Sequence, residues 1–245
     1  KNGQEQISRP ISLLKCMLVV IVPILLIVKQ PDYGTAIAFC IAISLILVSA
    51  GIDKKYIIGA IILVIIALPL LYFFVLPAHA KTRIDVFLNP NLDPRGSGYN
   101  VLQSKLAIGS GKLFGMGIKN GSQTQLGYLY PQTTDFIYSA IGEEMGFLIA
   151  AGVIVLYVVL IVRALYIAKT ARDNLGSYIA SGIAGIFLFH MVENIGMTMG
   201  LLPITGVPLP FVSYGGSSLV TNYILIGLLM GISGRRSKIL FASVA

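Results

Sequence analysis

A single aspartate, Asp135, stands at the start of a long apolar run, directly after the stretch 130–134 (YPQTT). Two roles suit a carboxylate at the beginning of a helix. As a helix cap, its oxygens would accept hydrogen bonds from the free amides of the first turn. As a general base, it would take a proton from a hydroxyl group, and partial removal from water makes a carboxylate a stronger base. Both interpretations stay open at the level of sequence.

Two glutamates, Glu143 and Glu144, follow Asp135 within the same apolar run. On a helix that rises about 1.5 Å per residue they would lie ~12 to 14 Å further along, inside a membrane. Ionisable groups at that depth usually face a protein interior or a wet cavity. About 100° separates neighbouring positions on a helix, so both side chains cannot point the same way. We therefore expect a structural tie between helices or the lining of a cavity.

Three further ionisable residues lie in or beside apolar runs. His190 and Glu193 are three residues apart, so they share one helix face and can pair within a bundle. Alone, they are too few for a metal site, and contacts between helices are the favoured interpretation. Asp32 follows a proline that ends an apolar run, so its carboxylate either reaches the surface or makes a turn.

The segment 79–134 is cationic, with six basic residues against two acids and a net charge of +4. Such a surface attracts an anion, although exposed lysines in a solvated loop are also common. Within it, residues 99–108 can form an amphipathic helix with Leu102 and Leu106 on one face and Ser104 and Lys105 off it. The glycines that follow permit turns or the close approach of a ligand. The basic residues are Lys81, Arg83, Arg95, Lys105, Lys112 and Lys119.

The elements that must position these residues are membrane-spanning helices. Hydrophobic residues make up 56% of the chain and charged residues only 11%, with a mean hydropathy of +0.86. Because spanning backbone must satisfy its own hydrogen bonds, and because no alternation with period two is seen, helices are predicted. The fold class is all-α: a polytopic helical bundle, with residues 1–245 as a single membrane domain. Six apolar runs are long enough to cross a bilayer, at about 11–28, 35–51, 56–78, 136–163, 177–200 and 215–233.

Basic residues between the runs predict how the chain is oriented. Lysine and arginine follow the second, fourth and sixth runs and precede the first, which places those ends, and both termini, in the cytoplasm. The segment 79–134 then becomes one large extracytoplasmic loop. The last outer segment, 201–218, holds three prolines and paired glycines, so we expect irregular backbone that re-enters the membrane edge.

Four stretches of this chain resemble the SEDS (RodA/FtsW) family of shape, elongation, division and sporulation proteins. They run in the family's order, and the last is long and highly specific. The stretches are 30–36 (QPDYGTA), 109–117 (GSGKLFGMG), 134–137 (TDFI) with 142–144 (GEE), and 200–218 (GLLPITGVPLPFVSYGGSS). The family has ten spans, so the six runs here correspond to spans five to ten, with the first four missing.

The resemblance implies a peptidoglycan glycosyltransferase that polymerises lipid II in the bacterial cytoplasmic membrane, with a class B penicillin-binding protein and membrane lipids as partners. Neither nucleic acid nor a certain cofactor is implied, and no residue is assigned to a metal. Asp135 matches the essential aspartate, with nearby lysines, alone or with Mg²⁺ or Mn²⁺, stabilising the leaving diphosphate. The chain departs from the family pattern at Gln132, Thr133 and Lys112. The residues expected at the substrate are Asp32, Gln103, Lys105, Lys112, Ser213 and Gly216.

Two other classes of function stay open. A flippase or transporter for a lipid-linked sugar would use the intramembrane glutamates and His190 to line its path. The absence of an evident internal repeat weakens that alternative. A truncated, non-catalytic partner of such an enzyme is the other alternative.

Overall fold

The computed structural model describes residues 10–94 and 96–235, and within these ranges all regular structure is helical. The all-α fold is therefore confirmed. Three of the basic residues behind the predicted orientation at the termini, Lys1, Arg9 and Lys238, lie outside the described residues, as do Arg236 and Arg95. The helices are α1 (Pro10–Lys29), α2 (Tyr33–Ser49), α3 (Lys54–Leu70), α4 (Ala78–Leu88), α5 (Ser97–Ser110), α6 (Ser122–Gln125), α7 (Ile137–Thr170), α8 (Asn174–Thr198) and α9 (Gly216–Gly234).

Each of the six predicted apolar runs coincides with one long helix. Four helical stretches in the described part of the chain are long and apolar enough to cross a membrane. They are Lys54–Phe74, in which a π-helical turn extends α3, and the helices α7, α8 and α9. Helix α2 is apolar but has only 17 residues. The chain is a polytopic membrane protein, and the number of six crossings stays a prediction.

The residues group into two compact units. The first unit contains the described residues 10–76, 162–186 and 226–235, and the second contains 77–161 and 187–225. Small residues pack the first unit: Gly34, Ala36, Ala38 and Ala42 are the buried positions of α2. A side chain on Gly185 of α8 would collide with the backbone of Ala42. Close approach through small residues is the usual way in which helices associate in a membrane.

The predicted loop 79–134 contains three helices rather than one. Helix α5 covers the predicted amphipathic segment, but its buried face is formed by Val101, Ser104 and Ala107. Leu102 and Leu106 are exposed instead. Ser104 lies off the face of Leu102 and Leu106, as predicted, and on the buried face, because its hydroxyl lies within hydrogen-bond distance of the Ser139 hydroxyl (2.6 Å) and donates to the Thr198 carbonyl (2.6 Å).

Helix α7 is broken at Gly146, where φ is 79° and ψ is 178°. The segment 112–117 inserts at this break. The amide of Phe147 donates to the carbonyl of Lys112 at 2.9 Å, and that of Met116 donates to the carbonyl of Glu143 at 2.9 Å. The backbone groups that the break frees are therefore paired again. The first half of α7 is a short, separately held helix, and Asp135 lies just before it.

Candidate functional site

Asp135 lies two residues before α7, in a turn whose other side is anchored in the core. Its neighbour Phe136 is 1% exposed and packs with Ala107 and Leu129. The amide of Phe136 also donates to the Pro131 carbonyl at 3.2 Å. Among the described residues, no hydrogen bond or ion pair engages the carboxylate of Asp135, which is half-buried. Capping of α7 by this carboxylate is therefore not observed, and its oxygens are available to a ligand.

Three consecutive carbonyls lead up to this carboxylate, and each accepts one hydrogen bond from outside the turn. The amide of Tyr214 donates to the Thr133 carbonyl at 2.9 Å. The hydroxyl of Ser213 donates to the Thr134 carbonyl at 2.7 Å. The side-chain amide of Asn194 donates to the Asp135 carbonyl at 3.0 Å. The backbone is thus fixed at three consecutive residues, Thr133, Thr134 and Asp135.

The loop between α8 and α9, residues 199–215, supplies two of these donors and is called the proline-rich loop below. Its Gly206 has a φ of +77° and lies beside the Asp135 carboxylate. Its Val207 carbonyl accepts a second hydrogen bond from Asn194, at 2.9 Å. Ser213 also closes a turn within the loop, because its hydroxyl accepts from the Leu209 amide at 2.8 Å. The irregular backbone predicted for this segment is therefore held by specific polar contacts.

His190 and Glu193 support the proline-rich loop rather than pairing with each other. His190 Nδ1 lies 3.0 Å from the Pro208 carbonyl. The Thr205 hydroxyl donates to Glu193 Oε1 at 2.8 Å. Each side chain reaches a different residue of the loop, and the favoured interpretation, contacts between helices, stays a prediction. Both lie on α8 with Asn194, so one helix holds the loop at three points.

Two cations line a small groove next to the same loop. Arg83 on α4 donates from Nη1 to the Ile204 carbonyl at 3.3 Å. Lys105 on α5 is exposed, and its ammonium lies close to Gly200. Because Ile204 and Gly206 are two residues apart, at most about 7 Å separates their Cα atoms. The Arg83 guanidinium and the Asp135 carboxylate therefore both contact the loop segment 204–206. The groove lining includes Arg83, Lys105, Gly200, Leu202, Pro203 and Ile204.

The other residues expected at the substrate fall in different places. Lys112 is exposed and lines an apolar cavity of about 410 Å³ beside α7. Gln103 is half-exposed on α5, and Gly216 begins α9 with open space beside its Cα. Asp32 belongs to the first unit, where its carboxylate caps α2 by accepting from the Thr35 amide at 3.0 Å. Substrate contacts by these residues stay predictions.

Glu143 and Glu144 hold the segment 122–125 to α7. Glu143 is fully buried, and its carboxylate accepts from the backbone amides of Gln123 (2.8 Å) and Thr124 (3.0 Å). Glu144 is half-exposed and accepts from the Thr124 hydroxyl at 3.1 Å and from the Gln125 side-chain amide at 3.0 Å. A carboxylate at the start of the short helix α6 is the favourable arrangement. The structural interpretation of the pair therefore agrees with these contacts.

For a divalent cation bound at this site, the carboxylate of Asp135 is the available protein ligand. In the described ranges, no three His, Cys, Asp or Glu side chains converge. Asp135 is the residue that would hold such an ion, together with phosphate oxygens of a substrate, which is how Mg²⁺ is usually bound.

Three residues of the site were not singled out by sequence reasoning. Asn194 is a polar residue within an apolar run, next to Glu193, and an uncharged side chain was not weighed. Arg83 was counted only as part of the cationic segment. Gly206 follows a threonine in the proline-rich loop, and nothing in its sequence context indicates contact with Asp135. Of these three residues, only Asn194 had a signal in the sequence, which is a polar residue within an apolar run.

Fold and site define a class: a helical membrane protein in which one irregular loop contacts an unpaired carboxylate at Gly206 and two cations at Gly200 and Ile204. The family model for cell cycle proteins of the FtsW/RodA/SpoVE type matches residues 1–238. The chain belongs to this family, and the resemblance seen in its motifs is confirmed. It is 40% identical to the peptidoglycan glycosyltransferase MrdB of Escherichia coli K12 over 228 residues. That match covers 93% of this chain and 61% of MrdB, so the chain spans about three fifths of this relative.

Further relatives and solved structures agree with this assignment. The chain is 49% identical to the peptidoglycan glycosyltransferase RodA of Treponema pallidum over 164 residues, which cover 66% of this chain and 37% of that protein. One solved structure shows how a peptidoglycan synthase complex coordinates polymerization and crosslinking. A chain of that complex matches this chain with a TM-score of 0.79 at 25% sequence identity. The match covers 95% of this chain and 64% of the other. The crystal structure of a Thermus thermophilus RodA mutant shares the fold, with a TM-score of 0.59 at 24% sequence identity. That match covers 90% of this chain and 56% of the RodA chain.

Proposed function

We propose that this chain carries the active site of a peptidoglycan glycosyltransferase that polymerises lipid II at the outer face of the bacterial cytoplasmic membrane. The observation that carries the proposal is the unengaged carboxylate of Asp135 beside Gly206 of the proline-rich loop, whose residues 200 and 202–204 line the groove of Arg83 and Lys105. Polymerisation needs a base for a sugar hydroxyl and positive charge for a diphosphate. The names of MrdB and RodA as peptidoglycan glycosyltransferases support the same activity.

The proposed reaction is a single displacement. Asp135 accepts the proton of the acceptor sugar hydroxyl while the hydroxyl oxygen attacks the anomeric carbon of the donor. The bond between that carbon and the diphosphate oxygen breaks, and the lipid-linked diphosphate leaves with the bonding electrons. Because attack and departure occur on opposite faces, the anomeric centre is inverted. The general base is expected to increase the rate by a factor of about 10² to 10⁴.

Arg83 and Lys105 are proposed to bind the diphosphate. Arginine offers a planar fork of donors for phosphate oxygens, and lysine acts as a compact point charge. Arg83 already donates one hydrogen bond to the Ile204 carbonyl, which fixes its guanidinium at the groove. Among the described residues, no acid is paired with Lys105. Both cations are therefore free to stabilise charge that develops on the leaving group.

The setting of the reaction is part of the proposal. A class B penicillin-binding protein is the expected partner, in keeping with the peptidoglycan synthase complex to which the chain is similar. The segment 79–134 and the proline-rich loop are proposed to face outward, with both termini of the chain in the cytoplasm. Residues 1–245 would then form a single membrane domain.

Two assays with the purified protein test the function. In detergent, the protein together with a class B penicillin-binding protein is expected to convert lipid II into glycan strands that gel electrophoresis resolves. In proteoliposomes, transfer of fluorescent lipid II between leaflets is measured. Strands without transfer support the proposal, whereas transfer without strands supports a flippase. If neither occurs with the complete complex, the chain is a non-catalytic partner and the proposal is wrong.

A further inference from the structure

We propose that Asn194 is the positioning residue of this site: it fixes the backbone of Asp135 so that the carboxylate stands at the substrate hydroxyl. The inference rests on the proposed function, because it takes Asp135 as the base. Asn194 lies on α8 and is completely buried. Its Nδ2 donates both to the Asp135 carbonyl at 3.0 Å and to the Val207 carbonyl at 2.9 Å. One amide group thus joins the turn of the base to the proline-rich loop that faces it.

The two polar atoms of the Asn194 side chain differ in their hydrogen bonding, which shows which of them contributes to the site. Its Oδ1 is buried and has no hydrogen-bond partner in the described part of the chain. A buried acceptor without a partner destabilises a fold, and an aliphatic side chain of the same size would avoid that cost. The opposite orientation of the amide would direct Oδ1 at two carbonyl oxygens, so the orientation is fixed. The two donors are therefore the contribution of this side chain.

Asn194 differs from the other donors of the turn in the element that carries it. Ser213 and Tyr214, which hold the carbonyls of Thr134 and Thr133, belong to the proline-rich loop itself. Asn194 instead extends from a helix, and groups held by regular elements are located more accurately than groups held by loops. It therefore sets the position of turn and loop relative to α8. A shift of about 1 Å at a catalytic group can lower the rate about 10²-fold.

The variant Asn194→Leu removes both donors and keeps the branching and the number of heavy atoms of the side chain. We expect kcat for lipid II polymerisation to fall about 10²-fold, while KM changes less than about twofold. The matched control is Asn222→Leu, a buried asparagine whose Nδ2 donates to Ser218 of its own helix at 3.3 Å. The control is expected to keep the wild-type kcat. An unchanged kcat in Asn194→Leu, or a raised KM with kcat preserved, would overturn the assignment.

Asn194→Asp provides a second variant if the leucine variant does not fold. It keeps the shape and leaves at most one donor, the O–H of a protonated carboxyl group, so kcat is expected to fall in the same direction. In the Asp135→Asn background, Asn194→Leu should lower the residual rate less than about twofold, because it acts through Asp135. A further loss of about 10²-fold in that background would show that Asn194 acts on something else.

Hydrogen exchange separates this inference from the proposed function. The amide of Phe136 donates to the Pro131 carbonyl within the turn that Asn194 holds. The amides of Ser139 and Ala140, in the first turn of α7, donate to the Phe136 carbonyl. These three amides should exchange faster in Asn194→Leu than in Asn222→Leu, whether or not the protein polymerises lipid II. Unchanged exchange contradicts the positioning role itself. Faster exchange in a protein without polymerase activity would uphold the positioning and contradict only the proposed function.

Discussion

The carboxylate of Asp135 lies against the backbone of Gly206, so that an atom at the Cβ position of Gly206 would be 3.5 Å from Oδ2. Space beside the base is therefore kept open by the lack of a side chain. The φ of +77° at Gly206 independently favours glycine. This contact joins the turn before α7 to the proline-rich loop, which are far apart in sequence.

Gly206→Ala tests whether that space serves the substrate. The methyl group would lie beside the carboxylate, so kcat/KM for lipid II should fall about tenfold or more. Gly127→Ala is the matched control, because Gly127 also has a positive φ (+74°) but nothing lies within 4 Å of its Cβ position. Both variants carry strain of about 1–2 kcal/mol, so their melting temperatures should fall alike. Equal activity in the two variants would show that the space is not used.

Lys105→Gln tests the binding of the diphosphate. Removing this charge from the groove should raise KM for lipid II about tenfold, and added salt should affect the variant less than the wild type. Lys119→Gln is the control, since Lys119 is also an exposed cation of the same segment and lies outside the groove. Steady-state kinetics at two ionic strengths makes the measurement. A similar KM for both variants contradicts the assignment.

Glu143→Ala tests the anchoring of the segment 122–125. The backbone amides of Gln123, which is partly buried, and Thr124, which is buried, would lose their acceptor, and the expected destabilisation is about 3 kcal/mol. Glu144→Ala removes a half-exposed carboxylate that bonds only side chains, so about 1 kcal/mol or less is expected. Thermal melting and limited proteolysis within 118–130 make the comparison. If the two variants melt together, Glu143 does not anchor this segment.

Gly146→Ala tests the break in α7. A Cβ on Gly146 would lie 2.6 Å from the Leu113 carbonyl oxygen, and its φ of +79° is strained for alanine. The expected destabilisation is about 2–5 kcal/mol. Gly152→Ala, on the same helix with open space beside it, should stabilise the protein by about 0.5–1 kcal/mol. A normal melting temperature for Gly146→Ala would mean that the segment 112–117 does not insert here.

Helix positions could be predicted from sequence because the apolar runs are long and a spanning backbone must pair with itself. The runs at 136–163 and 177–200 became α7 and α8 within a few residues, except that α7 extends to Thr170. The break at Gly146 could not be predicted, since it depends on a backbone segment some 30 residues away in sequence. The buried face of α5 was missed for a related reason: Ser104 is buried because it bonds Ser139 and Thr198, and sequence patterns indicate only apolar burial.

In the candidate site, too, some residues could be predicted from the sequence and others could not. Asp135 was found because charge beside an apolar run stands out, and Lys105 because it belongs to the cationic segment 79–134. The supporting roles of Asn194, His190 and Glu193 depend on which carbonyls and hydroxyls of the proline-rich loop reach α8. Irregular backbone has no period from which such contacts can be derived. Ser213, expected at the substrate, donates to the Thr134 carbonyl instead, and whether it also touches substrate stays a prediction.

The central claim is that the carboxylate of Asp135 removes the proton of the acceptor sugar. The most direct test compares kcat for lipid II polymerisation in Asp135→Asn and in Asp53→Asn, where Asp53 is an exposed carboxylate paired with Lys55 in the first unit. We expect Asp135→Asn to lose about 10² to 10⁴ in kcat and Asp53→Asn to keep the wild-type rate. Polymerisation by Asp135→Asn at the rate of the control would contradict the account.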